Sequence, residues 1–229
     1  MEFLTLLRKL VWQDRKQSPI KYFRATLVHI LRKQGDCPVC LLCEERLKKF
    51  YWWYFYEKYG GPPWIIRVLK SNGFCNKHAW DMVEMKKKNQ MSFVYGYLVR
   101  DALRKLEKMA SQGDKSRKNI GPANICPICE EISTISTLWT QQLVEHLEDT
   151  EIKELYFGSS GLCMNHFYQT FYIASSKARL LLIQKQSSEL NRLKDGLEQT
   201  RGTLADQSYG PDRDKIWVKV VEFFASKDL

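Results

Sequence analysis

The chain has 229 residues, a formal charge of +10, 44% hydrophobic and 27% charged residues. That composition reads as a folded soluble protein with one good core or two small ones, and no apolar run approaches the roughly 20 residues that span a bilayer. Met1–Trp12 is interrupted by Arg8 and Lys9 and lacks a small-residue cleavage site, so it does not read as a secretory signal.

In chain order, Phe3, Leu6, Leu7, Leu10 and Val11 form one face of a short helix, and residues 19–34 read as a second, with Pro19 at its start and Gly35 past its end. A long helix is expected from Leu41 to Tyr59, stopped by Gly60-Gly61-Pro62-Pro63. A short helix at 65–70 leads to the Ser71-Asn72-Gly73 turn, and His78 opens a helix running toward Met109 with a bend at Gln90. After the polar stretch 111–124 the plan recurs. Helices are expected near 130–147 and 151–157, then a Ser159-Ser160-Gly161 turn and a long helix toward Thr200. A last amphipathic helix holds Ile216, Val220, Val221 and Phe224. The expected organisation is an N-terminal helical segment 1–35, a first repeat 36–110, a linker 111–124, a second repeat 125–200, and a loop with a C-terminal helix 201–229. The fold class is all-α, a duplicated helical unit with a Cys3His metal site in each copy joining helix N-termini.

The duplication is written in the cysteines. Cys37-Pro38-Val39-Cys40 precedes Cys75 and His78; Cys126-Pro127-Ile128-Cys129 precedes Cys163 and His166. All but one of the seven cysteines lie in these signatures. That usage points to metal in a reducing, cytoplasmic setting rather than to disulfides. Three sulfurs and one imidazole make a tetrahedral set suited to zinc, and four protein ligands leave no open position, so two structural zinc ions and no catalysis are expected. Each knuckle sits at a helix start, where free N–H groups favour a net-negative centre. The expectation is that each ion closes the long spacer inside its own repeat: Cys37, Cys40, Cys75 and His78 in one site, Cys126, Cys129, Cys163 and His166 in the other.

The pattern of CPxC followed by S-x-G-[FL]-C-x2-H, carried by Ser71, Gly73, Phe74, Ser159, Gly161 and Leu162 beside the eight Cys/His residues, resembles an uncharacterised family of prokaryotic proteins. That resemblance implies a helical metal-binding protein and supplies no reaction. An iron–sulfur cluster is the rival cofactor, because Cys43 extends the first motif to C-x2-C-x2-C and three cysteines with one histidine can hold a cluster. The second repeat has Ile132 at the matching place. A redox dithiol would need a preceding strand, and none is expected.

The run Phe50–Tyr56 would place rings all round a helix, which reads as core or as an aromatic-lined groove. Lys48, Lys49, Trp52, Trp53, Lys86, Lys87 and Lys88 are the candidate partner surface. Residues 1–35 and 86–118 are basic, and the stretch from Glu145 to Glu154 is acidic. Such a field can steer an acidic partner or can be a set of solvated helix faces. The sequence reading is a scaffold or docking protein for another protein. RNA or another polyanion is the first alternative partner, and an iron–sulfur electron carrier or subunit of a redox complex is the second alternative role.

Overall fold

The computed structural model describes residues 19–33, 35–112, 125–201 and 216–225. The helix expected over Phe3–Val11, most of the linker and the loop after residue 201 lie outside the described residues. Within them there are ten α-helices, one π-helical turn and no strand. In order these are α1 (Pro19–Leu31), α2 (Pro38–Trp53) continued by a π turn (Tyr54–Lys58), α3 (Pro62–Lys70), α4 (Asn76–Glu84) and α5 (Lys88–Gln112). Then come α6 (Pro127–His146), α7 (Thr150–Gly158), α8 (Met164–Ile173), α9 (Ser176–Arg201) and α10 (Ile216–Ala225). Helices α6–α9 repeat α2–α5, so the all-α duplicated unit is what the chain forms.

The long helix expected after each C-x2-H knuckle is two helices. In the first repeat the break falls at Met85–Lys87 rather than at Gln90, with Lys86 at φ 56°. In the second it falls at Ala174–Ser175, where the Ser175 hydroxyl accepts the Ala178 N–H at 3.1 Å and caps α9.

The chain folds into two compact units, one drawn from Met1–Cys43 and Ser136–Leu229, the other from Glu44–Ile135. The repeat is therefore a repeat of sequence, and the compact units are cut differently. In the first unit α1 packs against α7, and Leu27, Ile30, Leu143, Leu147, Ile152 and Tyr156 are fully buried. Arg24 meets Asp149 at 3.1 Å and Glu151 at 2.8 Å, and Arg32 meets Glu151 at 3.2 Å. Part of the charge asymmetry seen in the sequence is thus neutralised inside the molecule. The core of the second unit is aromatic: Leu47, Phe50, Tyr51, Tyr54, Phe55, Trp64, Met82 and Ile128 pack together.

The aromatic run divides by helical phase. Phe50, Tyr51, Tyr54 and Phe55 face inward, whereas Trp52 and Tyr56 are more than half exposed. Trp53 lies between, its ring 5.8 Å from Trp64 and under the Lys58 ammonium at 5.5 Å. The core role expected of the run is thus filled by four of its members, while Trp52 and Tyr56 stand at the surface.

Candidate metal centres

Four helix starts present the eight sulfur and imidazole groups. Pro38 and Pro127 are the first residues of α2 and α6, where the missing proline N–H costs nothing. Cys37 and Cys126 stand just before them, and their carbonyls accept the N–H of Leu41 at 3.1 Å and of Glu130 at 3.0 Å. Cys75 and Cys163 are the extended residues just ahead of α4 and α8, and His78 and His166 follow within the first turn. This spacing swings each imidazole back over its cysteine: Cys75 Sγ to His78 Nδ1 is 3.1 Å, and Cys163 Sγ to His166 Nδ1 is 3.2 Å.

The S-x-G element ahead of each C-x2-H makes the turn that aims it. Gly73 and Gly161 have φ of +104° and +72°, which side-chain-bearing residues rarely adopt. Ser71 Oγ donates to the Gly73 carbonyl at 2.7 Å, and Ser159 Oγ accepts the Gly161 N–H at 3.2 Å.

All eight residues come together, in two quartets whose ligand atoms lie within 4.8 Å of one another. Their membership corrects the pairing expected from the sequence. One quartet is Cys37, Cys40, Cys163 and His166; the other is Cys75, His78, Cys126 and Cys129. Each takes its C-x2-C from one repeat and its C-x2-H from the other, and each lies wholly within one compact unit. The reason is helix length. In each repeat the helix leaving the C-x2-C, with the π turn included in the first, is about 30 Å long, while the nine-residue helix that follows is only about 13 Å long. The C-x2-H knuckle therefore never returns to its own C-x2-C.

The spacings fit one ion per quartet. Zinc bonded at about 2.3 Å to sulfur and about 2.0 Å to nitrogen sets tetrahedral edges of about 3.8 Å between sulfurs and about 3.5 Å between sulfur and nitrogen. Cys40 to Cys163 and Cys75 to Cys129 are both 3.7 Å. His166 Nδ1 lies 3.5 Å from Cys37 and 3.3 Å from Cys40; His78 Nδ1 lies 3.7 Å from Cys126 and 3.4 Å from Cys129.

Electrostatics of the bare side chains point the same way. Burial pushes the Cys37 and Cys129 thiols up to about 12. Cys40 is raised chiefly by its hydrogen bonding with Cys163, and Cys163 is lowered because Cys37 and Cys40 hydrogen-bond to it. Packed without a cation, the Cys37, Cys40 and Cys163 set favours one thiolate, and a divalent ion is what would make the others thiolates.

Around the quartets, Tyr51 donates to Asp81 at 3.2 Å close to Cys75 and Cys126, and Thr170 donates to the His166 carbonyl at 2.6 Å. Cys43 is fully buried and belongs to neither quartet. Of the expected partner surface, Lys48 pairs with Glu44 at 2.7 Å, and Lys49, Lys86 and Lys88 are exposed. The Lys87 ammonium lies 4.5 Å over the Tyr56 ring and donates to its hydroxyl at 2.7 Å, while Trp52 stacks on Tyr56 with centroids 5.1 Å apart. A buried polar group that sequence reasoning missed is Lys185 with Gln186 and Glu189. The signal for it lay in aligning α9 with α5, where tyrosine, leucine and aspartate occupy the matching places.

The fold and its two quartets define a helical protein with two sites able to hold metal ions. The chain belongs to a family of unknown function, DUF6062, whose model matches residues 24–199. Neither a curated protein nor a solved structure matches it. Among the described residues, no helix is long and apolar enough to cross a membrane.

Proposed function

We propose that the protein is a non-catalytic scaffold held by two structural zinc ions, one in each mixed quartet, that docks onto another protein in the cytoplasm. The observation that carries the zinc reading is the pair of sets of three sulfurs and one nitrogen, each with four ligand-to-ligand distances of 3.1–3.7 Å and none above 4.8 Å, which suits one small ion. A cluster of several irons needs its ligand atoms farther apart, and Cys43 takes no place in a quartet. Four protein ligands complete a tetrahedral ion, which supports a structural role over a catalytic one. The exposed Trp52–Tyr56 pair, with Lys87 upon it, supports the docking surface.

That same ring pair favours one second reading, a platform for single-stranded RNA, since exposed rings beside ammonium groups stack bases. Metal analysis of protein purified without oxygen tests the main reading. Two zinc ions per chain and no visible absorbance are expected; iron with absorbance near about 400 nm would establish the cluster instead. Titration with an unstructured RNA separates the two docking readings. Binding that falls steeply with salt and is lost in Trp52→Ala selects RNA.

A further inference from the structure

A cavity of about 480 Å³ opens beside the quartet of Cys37, Cys40, Cys163 and His166. The sulfur end of the quartet and the 157–162 turn form one wall. Lys185, Glu189 and Arg192 of α9 and Lys219 of α10 also line the cavity.

Lys185 is only 4% exposed. Its Nζ donates to Glu189 Oε1 at 2.6 Å and to the Phe157 carbonyl at 2.9 Å. Arg192 Nε donates to Glu189 Oε2 at 2.8 Å. Both carboxylate oxygens are thereby used. Among the described residues, one Lys185 proton, the terminal nitrogens of Arg192 and the Lys219 ammonium have no partner.

Burying an ion pair commonly costs more desolvation than its attraction returns. The duplication shows that the fold does not require one here. The 88-residue offset that relates Cys75 to Cys163 places Tyr97, Leu98 and Asp101 where α9 has Lys185, Gln186 and Glu189. Leu98 packs 3.4 Å from where a Gly73 side chain would begin, and Gln186 packs at 3.6 Å in the same relation to Gly161. One copy builds this contact from an apolar chain, whereas the other sets a buried lysine and glutamate against an open cavity.

We infer that this cavity is a binding site for a small molecule carrying an oxyanion, a phosphate or a carboxylate, received by Lys185, Arg192 and Lys219. Lys185 is held by Glu189 and the Phe157 carbonyl with one donor left over, so little order is lost when the anion arrives. A cavity of this size suits a metabolite rather than a macromolecule. Glu222 also lines it and can meet a hydroxyl or amino group elsewhere on the ligand.

Thermal unfolding of the intact metal-loaded chain tests this, with inorganic phosphate and malonate as probes and chloride at equal ionic strength as the control. At a roughly ten-fold excess over Kd the wild-type Tm should rise by about 3 °C. A rise with phosphate alone identifies a phosphoryl ligand; a rise with malonate alone identifies a carboxylate. Lys185→Met should abolish the rise. Arg192→Ala, at an exposed position that leaves the core untouched, should weaken binding about ten-fold. No rise beyond chloride with either probe, or an equal rise in wild type and Arg192→Ala, overturns the inference. Metal content measured in the same samples separates this outcome from failure of the zinc reading, because both variants should keep two ions.

Discussion

Cys40 Sγ and His166 Nδ1 lie 3.3 Å apart although 126 residues separate them, and each belongs to a different repeat. The other quartet has the same relation, with Cys129 and His78 at 3.4 Å. Any ion held by either set joins the two halves of the chain. A protease site placed within residues 113–124 therefore gives a direct test. The cleaved halves should stay together through gel filtration with two ions bound; because α1 also packs on α7 and Ile128 in the second core, they should separate at a lower denaturant concentration once a strong chelator has removed the ions. Halves that part while each keeps one ion would restore the pairing within repeats.

Cys126→Ser should leave one ion in place of two and lower Tm, because two sulfurs, one imidazole and a hydroxyl make a poor zinc site. Cys43→Ala should keep both ions and cost about 1 kcal/mol, as a small truncation in a packed region does. Metal analysis and thermal melts of the two variants check this together. Loss of metal in Cys43→Ala would return Cys43 to the ligand set and with it the cluster reading.

The eight Cys/His residues, the helical class and the duplication were all legible in the sequence, because motif spacing and apolar periodicity are local properties. The pairing was not. It depends on how far α2 and α6 carry the chain compared with α3 and α7, which is a balance of helix lengths set by where each helix stops. The five-residue π turn at Tyr54–Lys58 adds to the outgoing path and carries no simple sequence mark. The breaks at Met85–Lys87 and Ala174–Ser175 were missed for a related reason, since helical residues run on both sides and only Ser175 signals a cap. The buried Lys185–Glu189 pair was hidden because a lysine four residues before a glutamate on a polar helix reads as a surface pair.

Arg67 reaches from α3 to α6 and donates to Glu131 at 2.9 Å and to Glu130 at 2.8 Å. Burial raises the Glu131 carboxyl above its ordinary value, and Arg67 opposes that rise. Arg67→Met should therefore cost about 2 kcal/mol at neutral pH, the scale of a lost hydrogen bond to a buried charge. The sign with pH follows from the raised value. Ionised Glu131 is the costly form in the folded variant, so the loss is full above its folded pKa and shrinks as pH falls through it. Denaturant midpoints of wild type and variant at pH 8 and pH 5 measure this; a pH-independent difference would show that Glu131 is not the group left uncompensated.

Gly196 sits inside α9, where helix propensity alone would favour almost any other residue. A Cβ built there would lie 2.8 Å from Ile216 Cγ1 and 2.9 Å from its Cδ1, so the glycine is what lets α10 approach α9. Gly196→Ala gains about 1 kcal/mol of helix propensity and loses a comparable amount to overpacking, so it should be close to neutral. Gly196→Leu cannot be accommodated by an Ile216 rotamer and should detach α10, lowering Tm. In a chain ended at residue 201 the same substitution should cost nothing and, through propensity, should stabilise slightly. If Gly196→Leu destabilises the truncated chain as much as the full one, its effect lies within α9, and the close approach to α10 is not what the glycine serves.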